Sequence, residues 1–308
     1  MSHYGSIEAG GTKFVCAIGA AVGFAGSTAV GNSDDSTIRN EKFEIIERVS
    51  FPTTTPEETM AHVFNFFDQY ELLAIGIGSF GPIDVNPASA TYGYITTTPK
   101  PHWGNFDFLG AVKQRYPIPI GFTTDVNAAA LGEQIQGAAQ GTNSCVYLTV
   151  GTGIGGGAVV NGELLSGFSH PEMGHIILRP HPEETYEGCC PYHSNCLEGL
   201  ASGPAIEQRF DAKAETLEPN HLAWQLEAHY LAQALMNYIL ILSPEKIILG
   251  GGVMAQKHLF PMVHKELQAL LNGYGAIPDV ESFIVAPGLG DNSATIGCFI
   301  LAYQTLVA

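Results

Sequence analysis

The chain has 308 residues, which is enough for two domains with hydrophobic cores of their own. Its hydrophobic content of 45% and charged content of 14% fit a compact soluble protein. The 13 Lys and Arg residues against 30 Asp and Glu residues give a net charge of −17, and so acidic a surface repels nucleic acid and anionic membranes. An anionic ligand must therefore be held locally, by backbone amides and a metal ion.

Targeting signals and membrane spans are not evident in the sequence. Residues Met1 to His3 lead directly into a strand-like segment, without the basic and apolar regions of a signal peptide. No apolar run approaches membrane-spanning length. Three of the six cysteines fall within residues 189–196, so they do not form the disulfide framework of a small secreted domain. We therefore expect a cytoplasmic protein.

The opening segment predicts two strands joined by a glycine turn. Ser6–Ala9 leads in, Gly10-Gly11-Thr12-Lys13 turns, and Phe14–Ile18 leads out. Successive glycines let backbone amides approach an anion closely, although an ordinary hairpin would show the same pattern. The G-x-x-x-x-G-K-[ST] spacing of a Walker loop is absent.

The next segment predicts further strands and one helix. Residues 20–50 are polar and are expected to form strands and loops. The run Thr53–Glu58 has a hydroxyl cap, a proline in the first turn and acids after it, which predicts a helix continuing to Tyr70. Leu72–Ser79 is typical of a buried parallel strand. It leads into Phe80-Gly81-Pro82-Ile83-Asp84, a loop at the end of a strand where open α/β sheets bind ligands.

A polar loop and a strand-to-helix junction follow. Residues 96–105 are punctuated by prolines and contain Trp103. After a helix and the short strand Ile118–Thr123, a second helix starts at Asp125. Either Asp125 or Asn127 could be its N-cap. A helix cap and a catalytic base explain Asp125 equally well, since both require a carboxylate at such a junction.

Residues 145–160 repeat the opening pattern of strand, glycine turn and strand. The turn is Gly151-Thr152-Gly153, and with Gly156 it matches G-x-G-x-x-G. A dinucleotide fingerprint must open a helix, whereas here a strand leads into an Asn161-Gly162 hairpin turn. We therefore exclude a Rossmann domain and predict a duplicated fold that clamps phosphates between two glycine hairpins.

The C-terminal part predicts helices over residues 200–210 and 222–242, then the buried strand Glu245–Leu249. Gly250-Gly251-Gly252 is expected to lead into a helix beginning near Met254, and such a turn suits the sugar or base of a nucleotide. A last strand is expected over residues 282–286, followed by a closing helix capped by residues 290–293.

Residues 170–199 contain the densest group of soft metal ligands in the chain. Cys190, His193 and Cys196 are evenly spaced, and His175 lies upstream. Four Cys and His ligands are what tetrahedral Zn²⁺ requires in a closed structural site, although a loop can also contain such residues by chance. Cys189 competes with Cys190 for the first position. We favour Cys190, because the proline after it starts a turn that returns the other two ligands.

Two acids flank these ligands. Glu172 precedes His175 by three residues, and Glu198 follows Cys196 by two. Closure of a metal site would bring both carboxylates towards one place, where they could bind a polar ligand. The alternative is that both are solvated loop charges.

Together these motifs resemble the ROK group (repressors, open reading frames, kinases) of the actin/hexokinase-like ATPase superfamily, and most closely its bacterial zinc-containing fructokinases. The resemblance covers nearly the whole chain. The motifs that carry it are Ile7–Lys13, Phe80–Asp84, Trp103-Gly104-Asn105, Thr124-Asp125-Val126-Asn127, Gly151–Gly155, Glu172–His175, Cys190–Gly199 and Gly250–Gly252.

The resemblance implies a two-domain α/β fold of the actin/hexokinase-like, ribonuclease H-like type, with duplicated βββαβα-type halves. A small N-terminal domain would span residues 1–120 and a large domain residues 121–290. The large domain would contain the second phosphate loop, the zinc-binding loop and the adenosine loop. A C-terminal helix at about residues 291–308 would pack back on the small domain.

The resemblance also implies an activity, namely phosphorylation of the 6-hydroxyl of D-fructose by Mg-ATP, with Asp125 as general base. Glucose, mannose or an N-acetylated hexosamine are the alternative acceptors. A homodimer is expected. The implied nucleotide-side residues are Glu8, Gly10, Gly11, Thr12, Lys13, Gly151, Thr152, Gly153, Gly250, Gly251 and Gly252. The implied sugar-binding residues are Gly81, Asn105, Asp125, Glu172, His175 and Glu198. The implied ligands of a structural zinc are His175, Cys190, His193 and Cys196.

Two features depart from the wider family. Glu8 stands where the family usually has Asp, which changes the Mg²⁺ side by one methylene. The zinc loop has a His in place of one Cys of the pattern C-x-C-G-x-x-G-C, as in the fructokinase branch.

Two other classes of function are disfavoured. A sugar-responsive repressor of this group would need a helix-turn-helix and a basic face. A non-catalytic sugar-binding protein is disfavoured by the glycine loops and Asp125.

Overall fold

The computed structural model describes residues 2–22 and 41–308. The strands of these residues are β1 (His3–Ala9), β2 (Lys13–Val22), β3 (Lys42–Pro52), β4 (Leu72–Ser79), β5 (Tyr94–Ile95), β6 (Phe106–Asp107), β7 (Ile120–Thr124), β8 (Cys145–Val150), β9 (Ile154–Val160), β10 (Glu163–Leu164), β11 (Lys246–Gly250) and β12 (Ile284–Val285). The α-helices are α1 (Pro56–Phe67), α2 (Phe108–Arg115), α3 (Asp125–Gln136), α4 (Leu197–Ala201), α5 (Gly203–Phe210), α6 (Leu222–Leu242), α7 (Leu259–Leu271), α8 (Val280–Phe283) and α9 (Ser293–Val307).

The two main sheets have the same organisation. The first has the strand order β3-β2-β1-β4-β7, and the second has the order β10-β9-β8-β11-β12. In each sheet three antiparallel strands are followed by two strands parallel to the first of them, β1 or β8. Both predicted glycine hairpins are present, as β1–β2 and β8–β9. The duplicated architecture expected from the sequence is therefore confirmed.

The C-terminal helix α9 packs against β4, β1 and β7 of the first sheet and against α3. Gly76 and Gly297 permit this close approach, because a Cβ atom at either position would overlap the backbone carbonyl of Cys298 or Ala128. The contact fixes the first turn of α3, and with it Asp125, beside the edge of the first sheet.

The boundary expected between residues 120 and 121 stays a prediction. Strand β7, which begins at Ile120, contains that boundary and is hydrogen-bonded to β4 in the first sheet. The hydrophobic residues of the two halves form separate clusters: one around β8, β11 and α6, and one around β1, β4 and α1. Each half therefore has a core of its own.

Helix α1 starts where the sequence predicted. Thr55 is its N-cap and accepts a hydrogen bond from the Glu58 N–H at 3.4 Å, but the helix ends at Phe67 rather than at Tyr70. Within the predicted polar segment 20–50, β2 continues to Val22 and β3 begins at residue 42, whereas residues 23–40 lie outside the described residues.

The prediction of a helix beginning near Met254 is wrong. Val253–Ala255 form only a 3₁₀ turn, and α7 begins at Leu259. Both Val253 and Met254 are buried in the hydrophobic cluster around β8, β11 and α6. This segment therefore packs along that core before the amphipathic helix α7 starts.

Two further elements are shorter than predicted. The helix expected over residues 200–210 is divided at Ser202, whose hydroxyl caps α5 by accepting the Ala205 N–H at 3.3 Å. The strand expected over residues 282–286 contains only Ile284 and Val285, because α8 occupies the preceding residues. Within the described part of the chain, none of the helices has both the length and the apolar character needed to cross a membrane.

Candidate active site

A cleft of about 470 Å³ is lined by residues of both sheets. Glu8 and Lys13 come from the first hairpin, Asp125 from the start of α3, and Thr149 from β8. The end of β11 contributes Gly250, and the turn after it contributes the next residue. Four of the residues predicted to bind the nucleotide therefore share one cleft with the predicted base, namely Glu8, Lys13, Gly250 and Gly251. The turn residues of the two hairpins are not among those that line it.

Asp125 is the first residue of α3, but it is not the helix cap. The N-cap is Thr124, whose Oγ1 accepts the Asn127 N–H at 3.1 Å. The alternative that Asp125 or Asn127 caps the helix is therefore wrong. The Oδ1 of Asp125 accepts the N–H of the adjacent Val126 at 2.9 Å, and its carboxyl group lines the cleft.

The pKa of Asp125 is raised from its ordinary value to about 7. Burial is the main cause, and the negative charges of Glu8 and, more weakly, Glu172 add to it, while the Val126 N–H lowers the pKa. A carboxyl group with a pKa near neutrality can accept a proton more readily than an ordinary aspartate. This favours the base interpretation of Asp125.

Glu8 lies on β1 and lines the same cleft as Asp125. Its Oε2 accepts the Thr295 hydroxyl at 3.1 Å. Burial raises the pKa of Glu8, while Thr295 and the nearby cations Arg48 and Lys13 lower it. Two mutually repelling carboxylates in one cleft form a site that a cation would stabilise.

The first hairpin has a closed base and an open tip. The Gly10 N–H donates to the Lys13 carbonyl at 3.0 Å, and the Thr53 hydroxyl donates to the Gly10 carbonyl at 2.7 Å. No atom lies within 4 Å of the place where a Cβ of Gly11 would be. The backbone of Gly11 and Thr12 is therefore accessible at the tip, as an anion-binding turn requires.

The second hairpin lies beside the glycine turn after β11. The Gly151 N–H donates to the Gly153 carbonyl at 2.9 Å, so the intervening Thr152 is at the tip of the turn. Gly251 has a φ of 92°, and a side chain there would overlap the Val150 carbonyl. The residue after it, Gly252, has open space where a Cβ would be. The predicted phosphate and adenosine loops are thus neighbours.

Glu198 braces the second hairpin. Its Oε2 accepts the Ile154 N–H at 2.9 Å, immediately after Gly153. Glu198 belongs to α4, which is capped by the Sγ of Cys196 accepting the Gly199 N–H at 3.4 Å. This acid, which we expected to bind sugar, therefore also connects the candidate metal loop to the phosphate loop.

His170 joins two predicted sugar-side loops and was missed in the sequence. Its Nε2 accepts the Ile83 N–H at 3.1 Å, and its Nδ1 lies 3.6 Å from a carboxylate oxygen of Glu172. A Cβ on Gly81 would lie 3.3 Å from the His170 ring. The only sequence signal was its position at the start of the run His170 to His175. Asn105 lies on an exposed loop, with a φ of 59°.

The four predicted metal ligands come together. Their ligand atoms, in His175, Cys190, His193 and Cys196, all lie within 4.8 Å of one another. The Nδ1 of His175 is 3.6 Å from the Cys196 Sγ and 3.8 Å from the Cys190 Sγ. The Cys189 Sγ instead lies 3.8 Å from the Ser202 hydroxyl, so the thiol of Cys190 is the one in the cluster.

The donor set fits a zinc ion. Zn–S bonds of about 2.3 Å and Zn–N bonds of about 2.0–2.1 Å place tetrahedral ligand atoms roughly 3.3–3.8 Å apart. Three of the four His–Cys separations, at 3.6, 3.8 and 3.9 Å, lie close to this spacing. Two thiols and two imidazoles would fill all four positions and leave none for a substrate.

The duplicated sheets, each with a glycine hairpin at the cleft, define the actin/hexokinase-like class of ATPase folds. The solved structure of the ROK hexokinase from Thermus thermophilus matches this fold with a TM-score of 0.76, at 24% identity and covering 98% of both chains. The chain belongs to the ROK family, whose sequence model matches residues 31–305.

Two curated relatives are similar over nearly their whole length. A protein of Bacillus subtilis (strain 168) named putative fructokinase is 52% identical over 308 residues, covering 99% of this chain and 96% of the relative. A fructokinase of Streptococcus mutans serotype c is 46% identical over 305 residues, covering 97% of each chain.

Proposed function

We propose that this ROK-family sugar kinase transfers the γ-phosphoryl group of ATP to the 6-hydroxyl of D-fructose. The observation that carries the proposal is the position of Asp125, which lines the cleft shared with the two glycine hairpins and has a pKa of about 7. In phosphoryl transfer the protein contributes mainly positioning and charge neutralisation, with a base to accept the proton of the attacking hydroxyl.

The nucleotide would be held by backbone amides and two cations. The exposed tips at Gly11 and Thr152 suit phosphate oxygens, and Lys13 and Arg48 add positive charge in an otherwise acidic protein. Mg²⁺ bound with ATP supplies neutralisation of the phosphate charge. Glu8 is the carboxylate beside the cleft that would order the ion or its water ligands.

The sugar would be positioned by the loops that meet at His170. Glu172, Glu198 and Asn105 supply oxygen and amide groups for its hydroxyls, and Gly81 leaves room beside His170. Asp125 would accept the proton of the 6-hydroxyl. A structural zinc held by the four-ligand cluster would fix α4, and through Glu198 it would hold the second hairpin.

The choice of fructose is supported by the two relatives named fructokinase, at 52% and 46% identity. Glucose, mannose and N-acetylated hexosamines stay the competing acceptors, because discrimination among hexoses depends on a few hydroxyl contacts. We also propose a cytoplasmic homodimer, as the family resemblance implies; light scattering on the purified protein would measure its mass.

Among the sugars, fructose should give the highest kcat/KM. The measurement compares fructose, glucose, mannose and N-acetylmannosamine in a coupled assay of ADP release, with product identification to test for fructose 6-phosphate. A higher kcat/KM for glucose would contradict the acceptor assignment but not the kinase activity. Failure to phosphorylate any hexose would contradict both.

The pH dependence of kcat/KM should reveal the raised pKa of Asp125. A base must be unprotonated, so kcat/KM should fall below a pH of about 7, towards about tenfold per unit. The substitution Glu8→Gln removes the negative charge that contributes most to the raised pKa of Asp125 and should move this limb to lower pH, whatever its effect on the rate. A limb that stays unchanged in Glu8→Gln would show that another group titrates.

A further inference from the structure

Arg209, on α5, is a buried cation outside the cleft. Its side chain is 6% exposed, and its Nη2 donates to the Leu200 carbonyl at 2.8 Å. The same nitrogen lies 3.1 Å from the Glu184 Oε2, whose side chain is 4% exposed. Because an unpaired buried charge is strongly destabilising, Arg209 and Glu184 depend on each other.

Aromatic rings enclose this ion pair. The Arg209 guanidinium lies 4.8 Å from the centre of the Tyr186 ring and 5.7 Å from that of Tyr230. The Tyr230 hydroxyl donates to the Glu184 Oε2 at 2.8 Å. A planar guanidinium held by ring faces and a carboxylate has little freedom to move. We call Glu184, Tyr186, Arg209 and Tyr230 the arginine box.

A further acid of α6 faces the same region. Glu227 is fully buried, and none of its side-chain oxygens has a hydrogen-bond partner in the described residues. Burial raises the pKa of Glu227, although the charge of Arg209 opposes this. Glu184, rather than Glu227, is therefore the group that neutralises Arg209.

The arginine box connects the two segments that hold the cysteine ligands. Leu200, whose carbonyl binds Arg209, lies in α4, the helix capped by Cys196. Glu184 and Tyr186 lie in the segment that leads to Cys190, and the Cys189 N–H in that segment donates to the Gly199 carbonyl at 3.0 Å. Fixing both segments to one guanidinium fixes the separation of the two thiols.

We propose that Arg209 and Glu184 are positioning residues for the four-ligand cluster and set its zinc affinity, an inference that rests on the zinc site of the proposed function. A loop ordered before the metal arrives loses less conformational entropy on binding, so the metal binds more tightly. Groups hydrogen-bonded directly to metal ligands typically change metal affinity by about 10–100-fold. The arginine box holds the segments that carry the ligands rather than the ligands themselves, so its effect should lie at the lower end of this range.

The double variant Arg209→Met/Glu184→Gln tests this on the full chain. It removes both charges together, so no unpaired charge is left buried. Zinc affinity, measured by competition with a chromophoric chelator, should weaken by about tenfold. Arg209→Lys should lose less, because an ammonium can still neutralise Glu184. Arg179→Gln is the matched control, because this arginine is exposed and lies in the same segment, between His175 and Glu184, so its loss should leave zinc affinity unchanged.

Melting temperatures with and without zinc separate positioning from simple core stability. If the arginine box positions the ligands, the rise in melting temperature caused by zinc should shrink in the double variant. A residue important only to the core would lower both melting temperatures equally and leave zinc affinity unchanged, which would overturn the proposal. Wild-type protein that takes up no zinc would overturn the proposal together with the zinc assignment, whereas sugar phosphorylation in the same sample would leave the kinase assignment standing.

Discussion

Replacing Asp125 by Asn should lower kcat by about 10²–10⁴-fold, the usual contribution of a general base. The Asn side chain can still accept the Val126 N–H, so the helix start should be retained. Nucleotide affinity should change little, because in the proposed site the phosphates would be held by the glycine hairpins. Activity is measured as fructose-dependent ADP release, and nucleotide affinity by calorimetric titration with ADP.

Thr124→Ala is the matched control for Asp125→Asn. Thr124 is the neighbouring residue that caps α3, so its loss should cost about 1 kcal/mol of unfolding free energy and leave kcat nearly intact. The two variants should therefore separate chemistry from helix stability at adjacent positions. The opposite pattern, with kcat lost in Thr124→Ala and retained in Asp125→Asn, would contradict the base assignment.

The stability of Asp125→Asn provides a second test with a definite sign. The pKa of Asp125 is raised to about 7 in the fold, against about 3.9 in an unfolded chain. The native state therefore binds more protons than the unfolded state between these values, and this carboxyl makes wild-type stability fall as pH rises through that range. A neutral Asn removes this effect, so at pH 8 the variant should melt no lower than wild type.

The two glycine hairpins and the long helix α6 could be predicted because their signals are local. Glycine clusters between strand-like runs defined the turns at Gly10–Thr12 and Gly151–Gly153, and both are present. The expected helix over residues 222–242 matches α6. In contrast, the start of α7 was placed too early, because a glycine-rich turn does not show how much of the following chain the core will bury.

The contacts that connect segments distant in the chain could not be predicted. His170 meets the Ile83 N–H across 87 residues, and nothing local to either residue indicates this. The buried charge of Arg209 is equally hidden, since its sequence context is that of an ordinary amphipathic helix. The choice of Thr124 over Asp125 as the cap also depended on backbone geometry, because both residue types cap helices.

The two adjacent cysteines show a similar limit. Cys189 and Cys190 are adjacent and have identical side chains. The sequence distinguished them only by the proline turn that follows Cys190. In the structure the Cys190 Sγ lies near the imidazoles of His175 and His193, whereas the Cys189 Sγ lies near Ser202. Neighbouring side chains diverge, so only one of them can reach a common metal.

Removing one of the four proposed zinc ligands should abolish metal binding and fructose binding together. His193→Ala is the cleaner variant, because His193 is exposed and its loss leaves the core unchanged. Cys196→Ala should show the same effect, but Cys196 is buried and caps α4, so its loss also destabilises the fold. Wild-type protein should contain about one zinc ion per chain by elemental analysis, and either variant should contain nearly none.

The physical reason is the chain of contacts from the cluster to the cleft. Cys196 caps α4, Glu198 lies in its first turn, and the Glu198 carboxylate holds the Ile154 N–H next to the second hairpin. Without the metal these contacts lose their fixed end, so Glu198 and Glu172 should no longer be held in place for the sugar. ADP should still bind through Lys13 and the first hairpin, although more weakly, because the second hairpin would lose the support of Glu198.

Cys189→Ala is the control that tests the ligand assignment. Its Sγ lies outside the cluster, so this variant should keep the zinc, the fructose affinity and the turnover of wild type. Loss of zinc in Cys189→Ala and retention in Cys190→Ala would reverse the assignment of the two cysteines. Normal fructose affinity in zinc-free His193→Ala would show instead that the metal stabilises the loop without organising the sugar site.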